Sequence, residues 1–339
     1  MTTNTTPHNW PVYGHDWAVD HLRKAVQHAR ARHAYLLTGV DNIGKRTLAY
    51  AFAMALNAPS DDGTGNVDFE ARAARNIMKG SHPDIILTER DEKTGALKIA
   101  AVRELTTKLA LKPYEARYRV AIIDDFQAAR GQAQDALLKT LEEPAETSVL
   151  LLIANSTDGI LSTITSRCQV LNLRPLSIDG VRDVLERQYH VPPPDADLLA
   201  RVSGGRVGWA IAAAAPESTM LDARAEALDV LEAALGQNRV GRFKLAEDMG
   251  RDKLAVLPIL DLWLTYWRDV MLVATGAAAH LPLTNADRQD ALVSLAGNLP
   301  PDAATRALHA TRETHRLLER TNTNPRLALE AMFLDYPGL

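Results

Sequence analysis

Seven residues, Gly39-Val40-Asp41-Asn42-Ile43-Gly44-Lys45, constrain the fold more than any other stretch of the chain. They follow an apolar run, Ala34 to Thr38, that reads as a buried strand, and they open a helical stretch from Arg46 to Leu56. A strand, a glycine-bounded loop, a lysine and a helix in that order are the context a phosphate-binding loop requires. Such a loop wraps backbone N–H groups around phosphate oxygens at a positive helix terminus, and its lysine reaches the outer phosphates. Gly39 and Gly44 supply backbone freedom, Asn42 lies between them, and Lys45 supplies charge. The bland alternative is a glycine-rich turn with a surface lysine, which would not need the flanking strand and helix.

The position after the lysine should carry a hydroxyl, because Ser or Thr there ligates the magnesium that bridges the outer phosphates. Here it is Arg46, and Thr47 comes one residue too late. One step along a helix turns a side chain by about 100°, so Thr47 is poorly placed to substitute. The loop is built to bind rather than to hydrolyse.

The loop sits in an alternation of short apolar runs and longer amphipathic ones between about Trp10 and Leu173, the rhythm of βα units on a parallel sheet. Strands are expected at Ala34 to Thr38, Asp84 to Thr88, Arg119 to Asp124, Ser148 to Ala154 and Gln169 to Leu173. Tyr35-Leu36-Leu37, Val120 to Ile123 and Val149 to Ile153 are continuously apolar, as strands covered by helices on both faces must be. One of these strands ends in Asp124-Asp125, delivering carboxylates to the sheet edge where open α/β sheets bind ligands. Asp124 is the expected magnesium carboxylate. Asp125 stands where a glutamate would orient the attacking water and is one methylene shorter, enough to misplace a water by about an ångström; otherwise it is a solvated turn residue.

After Arg174-Pro175-Leu176 the strand signal ends. Ser177 is an expected N-cap for a helix carrying Val181, Val184 and Leu185, and a small helical unit with a Ser203-Gly204-Gly205 turn runs to about Pro216. Beyond it, Leu228, Leu231 and Leu235 share one helical face, and Trp263, Tyr266, Trp267 and Val270 another. Pro192-Pro193-Pro194 and Asn298 to Asp302 read as breaks between helices. The two tryptophans read as packing residues, because no Lys or Arg is interleaved to make a base-stacking platform. The expected fold class is therefore α/β, with a parallel-sheet phosphate-loop domain over 1–174, a helical lid over 175–218 and an all-α domain over 219–339.

Composition removes several function classes. The lone Cys168 excludes an internal disulfide and a thiolate zinc cluster. A net charge of −4 argues against a stand-alone DNA binder. The polar start and the absence of an apolar run near 20 residues point to a cytoplasmic address. The histidines lack metal-ligand spacing beside a carboxylate, and no Ser-His-Asp or Cys-His order suggests a hydrolase.

Further segments carry a resemblance: His33-Ala34-Tyr35-Leu36-Leu37, Ser81-His82-Pro83-Asp84, Pro113 to Val120, Asp135 to Pro144 (DALLKTLEEP), Ala154-Asn155, Ser166-Arg167-Cys168 and Asn324 to Glu330. With the loop and the Asp124 strand end they resemble the clamp-loader branch of AAA+ proteins, densely in the first half and more thinly after Leu176. The resemblance implies an AAA+ domain, a lid and a helical collar. It implies a loader subunit working in a hetero-oligomeric ring with motor and delta-like subunits, which places a sliding clamp on primed DNA. In that family the Ser-Arg-Cys element presents an arginine to a neighbour's ATP, and Arg167 is the matching residue; the alternative is an arginine paired on its own surface. Cys168 is then a small buried residue. Asn155 matches the polar sensor at the end of the fourth strand, or else is a strand-end turn.

Two departures qualify the match. Many relatives bind a structural zinc through cysteines before the His-Pro-Asp segment, and Asn57 to Lys79 has none, so no zinc is expected. The lid arginine that senses nucleotide in active members falls at Gly208 or Trp209, with Arg206 close by. ATP or ADP is an expected ligand, with weak or absent Mg2+ binding and little hydrolysis. The rival expectations are an ATP-hydrolysing motor subunit of the loader and an interaction protein that never meets nucleotide.

Overall fold

The computed structural model describes residues 8–91, 94–300 and 302–338. Its chain divides into two compact units, one of residues up to Gly180 together with Gly205–Trp209, the other of Val181–Gly204 and the residues from Ala210 onward.

The first unit is built on five strands, β1 (Ala34–Thr38), β2 (Ile85–Thr88), β3 (Arg119–Ile123), β4 (Ser148–Ala154) and β5 (Gln169–Asn172). All pair in parallel, in the order β2-β3-β4-β1-β5. Around them lie α1 (Asp16–Gln27), α2 (Lys45–Asn57), α3 (Arg72–Met78), α4 (Ile99–Leu109), α5 (Gln132–Glu142) and α6 (Ser162–Thr165). The expected strands are present, with β2, β3 and β5 each one residue shorter than anticipated. The continuous apolar runs have the anticipated cause. Alternate residues of one strand face opposite sides, so Tyr35, Leu37, Val120, Ile122, Val149 and Leu151 enter one core while Leu36, Ala121, Ile123, Leu150 and Leu152 enter another. Helix α2 is buried from Leu48 to Leu56 apart from Tyr50, and its alanines at 49, 51, 53 and 55 let it lie close to the sheet. Phe52 meets the Tyr35 ring edge-on at 5.1 Å between centroids.

Asp84, expected to begin β2, instead precedes it as a fully buried carboxylate. It accepts bonds from the backbone N–H groups of Tyr114 (2.7 Å), Glu115 (2.9 Å) and Ala116 (3.0 Å), and from Arg119 Nε (3.1 Å) and Nη2 (2.7 Å). The charge thereby pins the loop entering β3. The segment between α2 and α3 is tied down by Asn9 side-chain bonds to both the N–H and the C=O of Val67 and by Trp10 Nε1 on the Gly65 carbonyl. Among the described residues no group of three or more His, Cys, Asp or Glu side chains is arranged to hold a metal ion.

Helices α7 (Ile178–Tyr189), α8 (Pro193–Val202) and α9 (Val207–Ala213) follow. Ser177 Oγ accepts from the Gly180 N–H at 3.1 Å, the anticipated cap. Of the three prolines only Pro192 lies outside a helix; Pro193 and Pro194 open α8, where a missing N–H costs nothing.

The second unit is completed by α10 (Met220–Leu235), α11 (Arg239–Met249), α12 (Lys253–Ala274), α13 (Gln289–Asn298), α14 (Ala303–Arg320) and α15 (Pro325–Asp335). The break anticipated at Asn298 to Asp302 separates α13 from α14, with Pro301 outside the described residues. The anticipated faces form its core, with Trp263, Trp267 and Leu228 fully buried, and Trp263 Nε1 donates to the Ala227 carbonyl at 2.8 Å. Arg242 is buried and donates to the carbonyls of Ala234, Leu235, Phe333, Tyr336 and Pro337. It thus ties the open C-terminal ends of α10 and α15 together, and burial holds its pKa below the ordinary arginine value. No helix among the described residues is long and apolar enough to cross a membrane.

Two outcomes follow. Burial alone would raise the Asp84 pKa, but the backbone bonds and Arg119 outweigh it and take the group from 3.8 to about 2. Its contribution to stability is therefore complete above the unfolded pKa and lost as pH falls from about 4 towards 2. Asp84→Ala leaves Arg119 buried without its partner and is expected to cost about 3 kcal/mol or more at neutral pH, read by urea denaturation. Arg242→Met leaves several buried carbonyls unpaired, and roughly 2–3 kcal/mol of loss is expected in unfolding followed by tryptophan fluorescence.

Candidate functional site

Parallel pairing brings three strand ends to one edge. Thr38 of β1 lies beside Ala154 of β4, and Ile123 of β3 beside Leu152. The residues that follow, Gly39, Asn155 and Asp124, therefore converge without any long-range coincidence in side-chain placement.

Gly39 has φ 142° and Gly44 φ 103°, values that disfavour a side chain. A Cβ at Gly39 would also stand 2.5 Å from both Ile43 Cδ1 and the Leu173 carbonyl oxygen, so the turn closes only over glycine. Asn42 takes the left-handed conformation at φ 62°, which asparagine tolerates well. The Gly39 N–H donates to the Asn155 carbonyl at 3.1 Å, joining the loop to the end of β4.

Lys45 is buried, and Nζ turns back onto its own loop. It donates to the carbonyls of Gly39 and Val40 (3.1 Å), to Asn155 Oδ1 (2.9 Å) and to Asp41 Oδ1 (3.4 Å). Burial lowers its pKa, and Asp41, Asp124 and Asp125 oppose that. The Asn155 amide also donates to Asp41 Oδ2 at 3.2 Å, so loop, lysine and strand end form one connected group.

The Arg46 guanidinium points to the neighbouring carboxylates. Its Nη1 is 2.5 Å from Glu89 Oε1 and 3.3 Å from Asp124 Oδ2. It also lies over the Tyr50 ring, 5.8 Å from the centroid. Burial works against its charge, yet the bonds to Glu89 and Tyr50 raise its pKa. Asp124 has its pKa raised by burial and by the charges of Asp125 and Glu89, against the pull of its bond from the Asp125 N–H and of Arg46. Thr47 lies exposed on α2.

Asp125 adopts a left-handed conformation (φ 51°) and pairs with Arg90 Nε at 3.0 Å. The described residues fit the phosphate half of a magnesium–nucleotide site, because the glycine-bounded loop and Lys45 are in place. They do not fit the metal half, because a guanidinium already pairs with the carboxylate that would ligate the ion.

The lid segment touches the same loop. The Gly208 N–H donates to the Asn42 carbonyl at 2.7 Å, and a Cβ at Gly208 would stand 2.8 Å from that oxygen. Arg206 lies over the Trp209 ring instead, 5.8 Å from its centroid.

Arg167 is not part of this cluster. It follows α6 at the surface, where Nη2 pairs with Glu142 Oε1 at 2.9 Å and Nη1 donates to the Thr163 carbonyl at 3.0 Å. The surface pairing anticipated as the bland alternative is therefore present. Cys168 is half-buried, and burial pushes its thiol up to about 12, leaving it unreactive at neutral pH.

Four contributors were not anticipated in these roles: Glu89, Arg90, Gly208 as a donor to the loop, and His15, whose Nε2 lies 2.8 Å from the Ile43 carbonyl. Burial lowers the His15 pKa. Glu89 and Arg90 had a readable signal, since they follow β2 at the edge where ligands of parallel sheets gather. His15 had none.

Known proteins match this architecture at both ends. A family model described as DNA polymerase III, delta subunit, matches residues 14–177, and one described as DNA polymerase III, delta subunit, C terminal, matches residues 218–336. The chain is 29% identical over 319 residues to the DNA polymerase III subunit delta' of Pseudomonas aeruginosa, covering 93% of each. It is 25% identical over 341 residues to the DNA polymerase III subunit tau of Bacillus subtilis, covering 92% of this chain but 59% of that protein. A solved DNA polymerase III gamma-subunit-related protein from Thermotoga maritima aligns over 93% of this chain and 98% of that one at 16% identity, with a TM-score of 0.43. With matches over both its sheet-containing and its helical regions, the chain belongs to the DNA polymerase III delta and delta' family of AAA+ clamp-loader proteins.

Proposed function

We propose that the chain is a delta'-type scaffold subunit of a clamp loader: it turns over little or no ATP itself and offers Arg167 to the ATP of a neighbouring subunit. The observation that carries this reading is the position of Arg46, which puts a permanent positive charge beside the carboxylate a catalytic magnesium would need. Asp125, tied to Arg90, is unsuited to holding an attacking water. A nucleotide can still be accommodated by Gly39, Gly44 and Lys45, and ATP or ADP held there would serve structure rather than turnover.

Arg167 suits work in trans. Its side chain is 37% exposed and that of Glu142 is 53% exposed. Ion pairs this open are worth roughly 0.2–1 kcal/mol, so Arg167 leaves Glu142 at little cost when a more concentrated negative charge is offered. A guanidinium is permanently charged and forked, which fits it to brace developing phosphate charge across an interface. In this reading the helices from α10 to α15 join a ring of relatives in the cytoplasm, and the assembly places a sliding clamp on primed DNA. The chain's net charge of −4 assigns most of the DNA-facing positive surface to other subunits.

The rival is an ATP-hydrolysing motor subunit. It draws on the preserved Gly39, Gly44 and Lys45 and on the likeness to the Bacillus subtilis tau subunit. It requires magnesium-dependent turnover by the isolated chain, which Arg46 and Asp125 oppose.

Arg167→Ala in a reconstituted loader is expected to lower DNA-stimulated ATPase activity by at least about tenfold, with assembly unchanged by size-exclusion chromatography. An ATPase rate equal to that of the unmodified loader would sink the proposal.

A further inference from the structure

The position after the loop lysine is usually read for what it lacks, but Arg46 adds a group as well as removing one. Its guanidinium is held from three directions, by Glu89 Oε1 at 2.5 Å, by Asp124 Oδ2 at 3.3 Å and by the Tyr50 ring at 5.8 Å. Glu89 and Asp124 leave from adjacent parallel strands, β2 and β3, so the sheet itself sets the gap that the guanidinium spans. A second cation, Arg90, neutralises Asp125, and Lys45 is spread over its own loop. The edge thus carries three carboxylates, Glu89, Asp124 and Asp125, each with an arginine within ion-pair distance. A divalent ion entering there would have to displace a guanidinium from Asp124 and then sit beside it, and like charges at that separation repel.

We propose that Arg46 is a tethered cation standing in the divalent metal's place, so that phosphate binding at this loop gains nothing from Mg2+, and that removing this one guanidinium opens the metal position. The proposal rests on residues 39–47 being a phosphate loop, as argued above. The side chain of Arg46 is 48% exposed, so its replacement leaves the hydrophobic cores intact. Threonine or serine at this position restores the hydroxyl at the start of α2 and frees Asp124 for the metal. Lysine keeps a positive charge there and serves as the control.

The experiment is calorimetric titration of the full-length isolated chain with ADP, in buffer containing EDTA and in buffer containing Mg2+. The unmodified chain is expected to give the same affinity in both, within about twofold, or no binding in either. Arg46→Thr, with Arg46→Ser as a second variant should the first fold poorly, is expected to bind ADP at least about tenfold more tightly with Mg2+ than without. Arg46→Lys is expected to remain insensitive to the metal. The inference is overturned by a tenfold gain from Mg2+ in the unmodified chain, by no gain in both folded hydroxyl variants, or by an equal gain in Arg46→Lys. These measurements use the isolated chain, whereas the Arg167 experiment needs the assembled loader. Failure here leaves the finger in trans standing, and failure there leaves the tethered cation standing.

Discussion

Everything at the candidate site depends on the parallel register of β1, β4 and β3. A sheet buried on both faces cannot slip by one residue without turning each strand's apolar side chains into the wrong core, so strand ends are held as firmly as strand centres. Thr38 beside Ala154 and Ile123 beside Leu152 therefore determine that the loop, Asn155 and Asp124 share one edge. Convergence brings an electrostatic burden. Glu89, Asp124 and Asp125 are brought to the same edge, and burial and the like charges of Asp125 and Glu89 already raise the Asp124 pKa. Some cation has to be present. In a hydrolysing relative a metal would supply it, and here the chain supplies Arg46 and Arg90 from its own sequence.

The scale of these pairs differs from that of the pairs that hold the scaffold. At an effective dielectric near 20, charges 3.3 Å apart attract by about 5 kcal/mol before desolvation and lost side-chain freedom are counted, yet exposed pairs return only roughly 0–1 kcal/mol net. Arg46 with Glu89 and Arg167 with Glu142 are of this exposed kind. Asp84 with Arg119 is not, since its carboxylate has no solvent to fall back on and uses five donors instead. Arg242 is the same device with the sign reversed, a buried cation satisfied entirely by carbonyls. Removing one partner of a buried charge costs far more than the intact arrangement contributes. Structure is thus anchored by charges that cannot let go, and the site is furnished with charges that can.

How far the sequence could be read follows the range of each interaction. The loop from Gly39 to Lys45 was legible because a turn, a lysine and a helix start are local, and Asp124 because a strand end announces itself. The helical faces around Trp263 and Leu228 were legible by periodicity. Glu89 as the partner of Arg46 was not, because the pair spans 43 residues and exists only if β2 lies next to β3. The Gly208 bond to the Asn42 carbonyl was further out of reach, since a backbone donor leaves no mark in residue type. Proline shows the limit from the other side. The run at 192–194 reads as a break in the sequence, and it is also a start, because Pro193 and Pro194 occupy helix positions that need no N–H donor. Pro258 lies inside α12 without ending it.

Arg46 and Arg167 carry the same chemical group into opposite circumstances. Both are partly exposed and both are paired within the chain, so neither burial nor pairing separates their roles. Geometry does. Arg46 is bracketed by two carboxylates and an aromatic ring beside the strand ends, and any incoming phosphate meets a guanidinium already neutralised. Arg167 has one carboxylate and one carbonyl at an open surface. On the reading proposed above, a triphosphate offered by a neighbour would concentrate more negative charge than Glu142 alone and would draw Arg167 outward. Arg46 has two carboxylates, each following its own strand, where Arg167 has one. On that reading one arginine stops the chain's own site while a second, at the surface, is offered to a neighbour's.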